Sequence, residues 1–138
     1  MAVAFSRTLR IRAPRKGLHE ITPDVAGVVE QSGAEEGVCT VFIRHTSTSL
    51  TINENADPAA RADLEAFLER LVPANESSYR HTTEGPDDMP AHIKTALTQV
   101  SLCIPIVRGR LGLGTWQGIY LWEHRDHPTP RQIIVAVR

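Results

Sequence analysis

The run Gln132-Ile133-Ile134-Val135-Ala136-Val137 decides the fold. Its β-branched residues suit a pleated, half-buried strand and leave no polar face for a surface helix. Working back from it, strands are expected near 119–124, 111–113 and 102–107, with no helical pattern between them. Further upstream, Gly37 to Arg44 is apolar and β-branched and reads as a buried strand. Leu50-Thr51-Ile52 reads as a short one. Residues 3–12 alternate through Val3, Phe5, Leu9 and Ile11, with Arg7 interrupting the apolar face, and Gly17 to Ile21 starts a second strand.

Helices fall between these strands. Thr22 or Pro23 opens one that runs through Val25, Val28 and Val29 to about Gly33. The clearest covers 58–71. Asp57 is a good N-cap and Pro58 suits the first helical position, while Leu64, Phe67, Leu68 and Leu71 follow the spacing of one buried face. After a polar loop over 73–87, the pattern predicts a helix over 89–99, with Asp88 as N-cap and Ile93, Ala96, Leu97 and Val100 inward. Pro90 is tolerated in the first turn, where no N–H partner is needed. Strands bracket the helices and do not alternate with them. The expected class is α+β: one compact domain over 1–138, a largely antiparallel sheet or β-sandwich with two to three helices.

Composition narrows the function. With a formal net charge of −1 and no Lys/Arg run, the chain lacks the basic face on which nucleic-acid binding rests. No apolar stretch approaches the roughly 20 residues that span a bilayer. Met1 to Arg12 lacks the apolar core of a signal peptide. Cys39 and Cys103 each lie in an apolar run, with no C-x-x-C, and read as buried structural thiols in a reducing compartment. A cytoplasmic protein with no nucleic-acid or membrane partner is expected.

Three histidines stand beside hydroxyls or carboxylates: Arg44-His45-Thr46-Ser47-Thr48-Ser49, Tyr79-Arg80-His81-Thr82-Thr83-Glu84 and Asp87-Asp88-Met89-Pro90-Ala91-His92. His45 follows a buried strand, where rigid backbone meets an opening; it is a ligand or a structural strand-end residue. His92 follows Asp88 by one helical turn and falls on the same side. That carboxylate can orient an imidazole, take a proton or ligate a metal; the alternative is a cap beside a surface histidine. Three histidines with an open position would suit a divalent ion, although no H-E-x-x-H spacing is present. Glu54, in Asn53-Glu54-Asn55-Ala56-Asp57, has no capping duty and is either a site residue or a surface one. The glycines of Gly109-Arg110-Leu111-Gly112-Leu113-Gly114 fit neither a dinucleotide fingerprint nor a P-loop, and hairpin turns explain them. Glu123-His124-Arg125 closes a strand. Arg125 is either a bidentate phosphate donor or part of a solvated strand end.

With these residues in view, the chain resembles the YjbQ-like family, also called uncharacterised protein family 0047 or the secondary thiamine-phosphate synthase family. The resemblance is carried by His45-Thr46-Ser47-Thr48-Ser49-Leu50, Asn53-Glu54-Asn55 with Asp57, Asp88-Met89-Pro90-Ala91-His92-Ile93-Lys94, and Gly109-x-Leu111-x-Leu113-Gly114-Thr115-Trp116-Gln117. One departure is visible: the family often carries a Gly shortly before Ser101-Leu102, where this chain has Thr98-Gln99-Val100. The resemblance implies a β-sandwich core, a homotrimer, and a polar site holding a metal or an anion. It also implies a thiamine-phosphate synthase activity that joins a pyrimidine diphosphate to a thiazole phosphate. On that basis His45, His81 and His92 are expected to bind a divalent ion, zinc or magnesium. Asp88, His92 and Glu54 are the catalytic candidates. Thr46, Ser47, Ser49 and Arg125 are expected to hold the phosphate of a small substrate. A non-catalytic trimer that binds a metal or an anion is the alternative.

Overall fold

Alternation along one strand sets the layers. In Gly37–Ile43, Cys39, Val41 and Ile43 are buried, while Val38 and Phe42 face outward. The computed structural model describes residues 4–138, so Val3 of the first alternating stretch lies outside the described residues. In chain order the elements are β1 (Phe5–Ile11), β2 (Gly17–Glu20), α1 (Thr22–Ser32), β3 (Gly37–Ile43), β4 (Thr48–Glu54), α2 (Pro58–Leu71), α3 (Asp88–Leu97), β5 (Ser101–Val107), β6 (Arg110–Leu111), β7 (Gln117–Glu123) and β8 (Arg131–Val137).

A five-stranded antiparallel sheet has the order β1-β8-β3-β5-β6, and a three-stranded one has the order β2-β7-β4. Their inner faces meet in a core of aliphatic residues, among them Val41, Ile104, Ile133 and Val135 from one sheet and Leu50, Ile119 and Leu121 from the other. Val25, Val28 and Val29 of α1 close one end of this core. The outer face of the smaller sheet carries Leu18, Tyr120 and Trp122, covered by Leu68 and Val72. Among the described residues the outer face of the larger sheet has no such cover: Val38, Phe42 and Val107 are exposed there. The expected α+β class with a sandwich of antiparallel sheets is what the chain adopts, with three helices among the described residues.

Several local expectations need correction. β4 is longer than Leu50-Thr51-Ile52 because the preceding polar residues can be buried at no loss: the Thr48 hydroxyl donates to the Trp122 carbonyl at 2.8 Å. β6 ends at Leu111, before the expected 113. The β5–β6 turn does use its glycine as expected, with Arg108 and Gly109 both at positive φ (52° and 77°), the two-residue turn that matches strand twist. α2 is capped by Asp57, whose Oδ1 accepts the Ala59 N–H at 2.9 Å, but only Leu64, Leu68 and Val72 turn toward the sheet. Phe67 and Leu71 lie on the adjacent row and are exposed. α3 starts at Asp88, with Asp87 in the cap position, and buries Asp88, Ala91, Lys94 and Thr95. Ala96 and Leu97, expected inward, are exposed, because Thr95 and Lys94 take the face that meets the sheets. Cys39 is buried as expected, but Cys103 is exposed: β5 alternates, and Leu102, Ile104 and Ile106 take its inner face.

Candidate metal centre

Three segments converge at one end of β4 and β7: the residues after β3, the loop 78–87 leading into α3, and the residues after β7. β4 and β7 pair over their full length, with Thr48 opposite Glu123 and Glu54 opposite Gln117. This register fixes which ends meet.

Asp88 is the hub. It is 1% exposed and sits in the first turn of α3, where the helix dipole favours a negative charge. Its Oδ2 lies 2.6 Å from His81 Nε2 and 3.2 Å from His92 Nε2, the latter one turn along the helix as the spacing predicts. Its Oδ1 accepts from Arg125 Nη1 at 2.7 Å. Burial pushes the Asp88 carboxyl upward, but the hydrogen bond from His81 and the charges of Arg125 and His92 outweigh it, so the group is held below the usual carboxylate range. His81, Asp88 and His92 each offer one ligand atom, and these atoms lie within 4.8 Å of one another.

The hydrogen bonds on His92 test whether this set suits a cation. Its Nδ1–H donates to the Thr46 carbonyl at 2.9 Å, which fixes the proton on Nδ1 in the neutral ring. The Nε2 lone pair then faces the Asp88 carboxylate, an arrangement that needs a positive centre between them: a second proton or a metal ion. Two imidazoles and one carboxylate, with His92 oriented by the Thr46 carbonyl and Asp88 by Arg125, form a donor set that fits a borderline divalent ion. The rings of His81 and His92 keep open sides and stand edge to face at 5.1 Å. His92 also lines a mostly apolar cleft of about 430 Å³ with His45, Thr46 and Val100, and His81 lines a second of about 390 Å³ with Tyr79 and Thr82.

The other expected site residues are placed differently. His45 is close by, on the wall of the His92 cleft, but its Nε2 accepts the Gln132 backbone N–H at 2.8 Å and it does not join the three converging ligands. Burial, then the charge of Arg131, lowers its pKa and keeps the ring neutral, as an acceptor must be. Thr46 is exposed at the cleft. Ser47 and Ser49 are buried. Ser49 Oγ is 2.8 Å from His124 Nε2 and 2.7 Å from Thr98 Oγ1, so its hydroxyl is used inside the protein. Glu54 is at the far end of β4, roughly 20 Å away at about 3.3 Å per residue, where it accepts the Asp57 N–H at 3.1 Å. The structure does not bring it to this site.

Glu123, His124 and Arg125 are not a solvated strand end. Glu123 is fully buried and paired with Arg131, Nε to Oε1 at 2.8 Å and Nη2 to Oε2 at 2.5 Å. His124 is 2% exposed, and burial, reinforced by Lys94 and Arg131, lowers its pKa to about 3. Lys94 is buried too, against Glu69 of α2. Sequence reading missed Asp87, Lys94 and Arg131. A charged residue in an otherwise apolar or helical pattern looks solvated until its partner, distant in sequence, is known.

Comparison with known proteins places the chain. The model of the UPF0047 protein YjbQ-like family matches residues 7–138. The UPF0047 protein of Synechocystis is 57% identical over 129 residues, covering 94% of this chain and 88% of that protein. The UPF0047 protein YjbQ of Salmonella typhimurium is 45% identical, covering 97% of each. Among solved structures, the conserved hypothetical protein TT1486 of Thermus thermophilus superposes with a TM-score of 0.86 at 34% identity, covering 96% of this chain and 99% of that one. With its family model matched almost end to end, this chain belongs to the YjbQ-like UPF0047 family.

Proposed function

We propose that the protein is a metal-dependent enzyme acting on phosphorylated small molecules, with His81, Asp88 and His92 as its metal ligands. The observation that carries this reading is the convergence of the three ligand atoms on the open side of a buried, fully oriented carboxylate. Two imidazoles favour zinc or a similar borderline ion over magnesium, which prefers oxygen ligands. A divalent ion bound there would supply a Lewis acid to neutralise charge on a phosphate or diphosphate group.

The chain's own residues do the rest. The Thr46 carbonyl holds the His92 imidazole in one tautomer and direction, with Nε2 turned to the Asp88 side. The cleft beside His92 receives the substrate, with the exposed Thr46 hydroxyl and the neutral His45 ring on its wall. In the thiamine-phosphate case, the ring nitrogen of a thiazole phosphate attacks the methylene carbon of a pyrimidine diphosphate. The C–N bond forms as the C–O bond breaks, and pyrophosphate leaves with the electron pair. Such a displacement calls for positioning and charge neutralisation and for little covalent help.

A homotrimer is part of the proposal. It is supported by the outer face of the five-stranded sheet, where Val38, Phe42 and Val107 are 41%, 42% and 47% exposed.

The test is to incubate the two phosphorylated precursors with protein, with and without prior chelation. Product should form, and Asp88→Asn and His92→Asn should abolish it while leaving the circular dichroism spectrum unchanged. Full activity in both variants would sink the assignment. A non-catalytic metal-binding trimer is the second reading. There the metal position would be closed, and chelation would unfold the protein.

A further inference from the structure

We infer that Arg125 is the positioning residue of the metal centre, and that it sets the metal affinity without touching the metal. This rests on the metal reading above. Arg125 uses three different nitrogens on one loop. Nη1 donates to Asp88 Oδ1 at 2.7 Å, Nε to Asp87 Oδ2 at 3.0 Å and Nη2 to the Glu84 carbonyl at 2.8 Å. With Oδ1 of Asp88 taken, only Oδ2 is presented to His81 and His92.

The guanidinium is itself anchored. The Arg125 backbone N–H donates to Glu123 Oε2 at 3.1 Å, and Glu123 is fixed by its buried pair with Arg131. Asp87 Oδ2 also accepts the Asp126 N–H at 2.9 Å, so loop and strand exit are joined at two points. A guanidinium engaged on three sides is not free to bind substrate phosphate. A lysine ammonium at this position carries the charge but cannot reproduce the planar, three-sided contact.

The test is zinc titration of the full chain by calorimetry, using wild type, Arg125→Gln, Arg125→Lys and Asp87→Asn. Cobalt absorption spectra would serve as a second readout of ligand geometry. Outer partners of this kind are worth about 10–100-fold in metal affinity. The expected result is a loss in that range for Arg125→Gln, a smaller loss for Asp87→Asn, partial rescue by Arg125→Lys and an altered cobalt spectrum. A purely structural arginine would lower the melting temperature and leave zinc affinity and the cobalt spectrum unchanged in folded protein; that outcome overturns the inference alone. Wild type that binds no zinc or cobalt overturns the metal reading with it. Should Arg125→Gln fail to fold, Asp87→Asn and Arg125→Lys still decide: affinities within twofold of wild type in both refute the role.

Discussion

The backbone carbonyl of Thr46 accepts the Nδ1–H of His92 at 2.9 Å, across 46 residues of sequence. This one bond ties the first histidine segment to the third and commits His92 Nε2 to the Asp88 side. No substitution of the Thr46 side chain removes a carbonyl. Thr46→Ala is therefore expected to keep metal affinity within a few-fold of wild type, whereas His92→Gln, which lacks the ring, should lose it. Zinc titration of both variants checks this; an equal loss in the two would mean that the carbonyl contact is not what orients the ring.

His124 predicts an acid limb in the stability curve. Its ordinary pKa is 6.5, and in the fold it falls to about 3, because burial disfavours the charged ring. The unfolded chain therefore takes up a proton that the folded one refuses. Stability is complete above about pH 6.5 and declines as pH falls from there toward 3, by up to about 1.4 kcal/mol per pH unit. Melting temperature measured from pH 8 to 4 should show this slope, and His124→Gln should flatten it. An unchanged slope in the variant would assign the acid sensitivity elsewhere.

The Glu123–Arg131 pair is buried on both sides, so removing one partner strands a charge. Glu123→Gln should destabilise the protein by about 3–5 kcal/mol, read from urea unfolding. Because Glu123 also holds the Arg125 backbone N–H, the same variant should weaken zinc binding. A loss under 1 kcal/mol would show that Arg131 finds another partner or water.

On the outer face of the five-stranded sheet, Phe42 is the largest exposed side chain of β3. If copies of the chain meet there, Phe42→Glu should convert the assembly to monomer in light scattering, and Cys103 on the same sheet should react faster with a thiol reagent. A variant with unchanged mass would move the interface to another face.

Much of this architecture was legible in the sequence. Strand periods placed β3, β5 and β8, and the Asp57-Pro58 pair marked the start of α2, because these signals are local. The Asp88–His92 spacing put two of the three converging side chains on one helix face for the same reason. What was not legible depended on partners far along the chain. Arg131 and Lys94 look like surface residues until Glu123 and Glu69 are brought to them. Ser49 was expected to hold a substrate phosphate, and neither it nor Thr48 reads as buried, because the partners of their hydroxyls, the Trp122 carbonyl for Thr48 and the Thr98 hydroxyl that donates to Ser49, lie on β7 and just past α3. That His45 stands apart from the three converging side chains, with its Nε2 accepting one backbone N–H on β8, is something no spacing reveals. Exposed Phe67, Leu71 and Leu97 show the limit of periodicity: it finds an apolar stripe and not what covers it.

The most direct test of the central claim is the metal content of purified, tag-free protein by elemental mass spectrometry, beside His81→Ala, His92→Ala and His45→Ala. The account predicts about one transition-metal ion per chain in wild type, loss in the His81 and His92 variants, and retention in the His45 variant. No metal in wild type even after reconstitution, or equal metal in all four proteins, would contradict it.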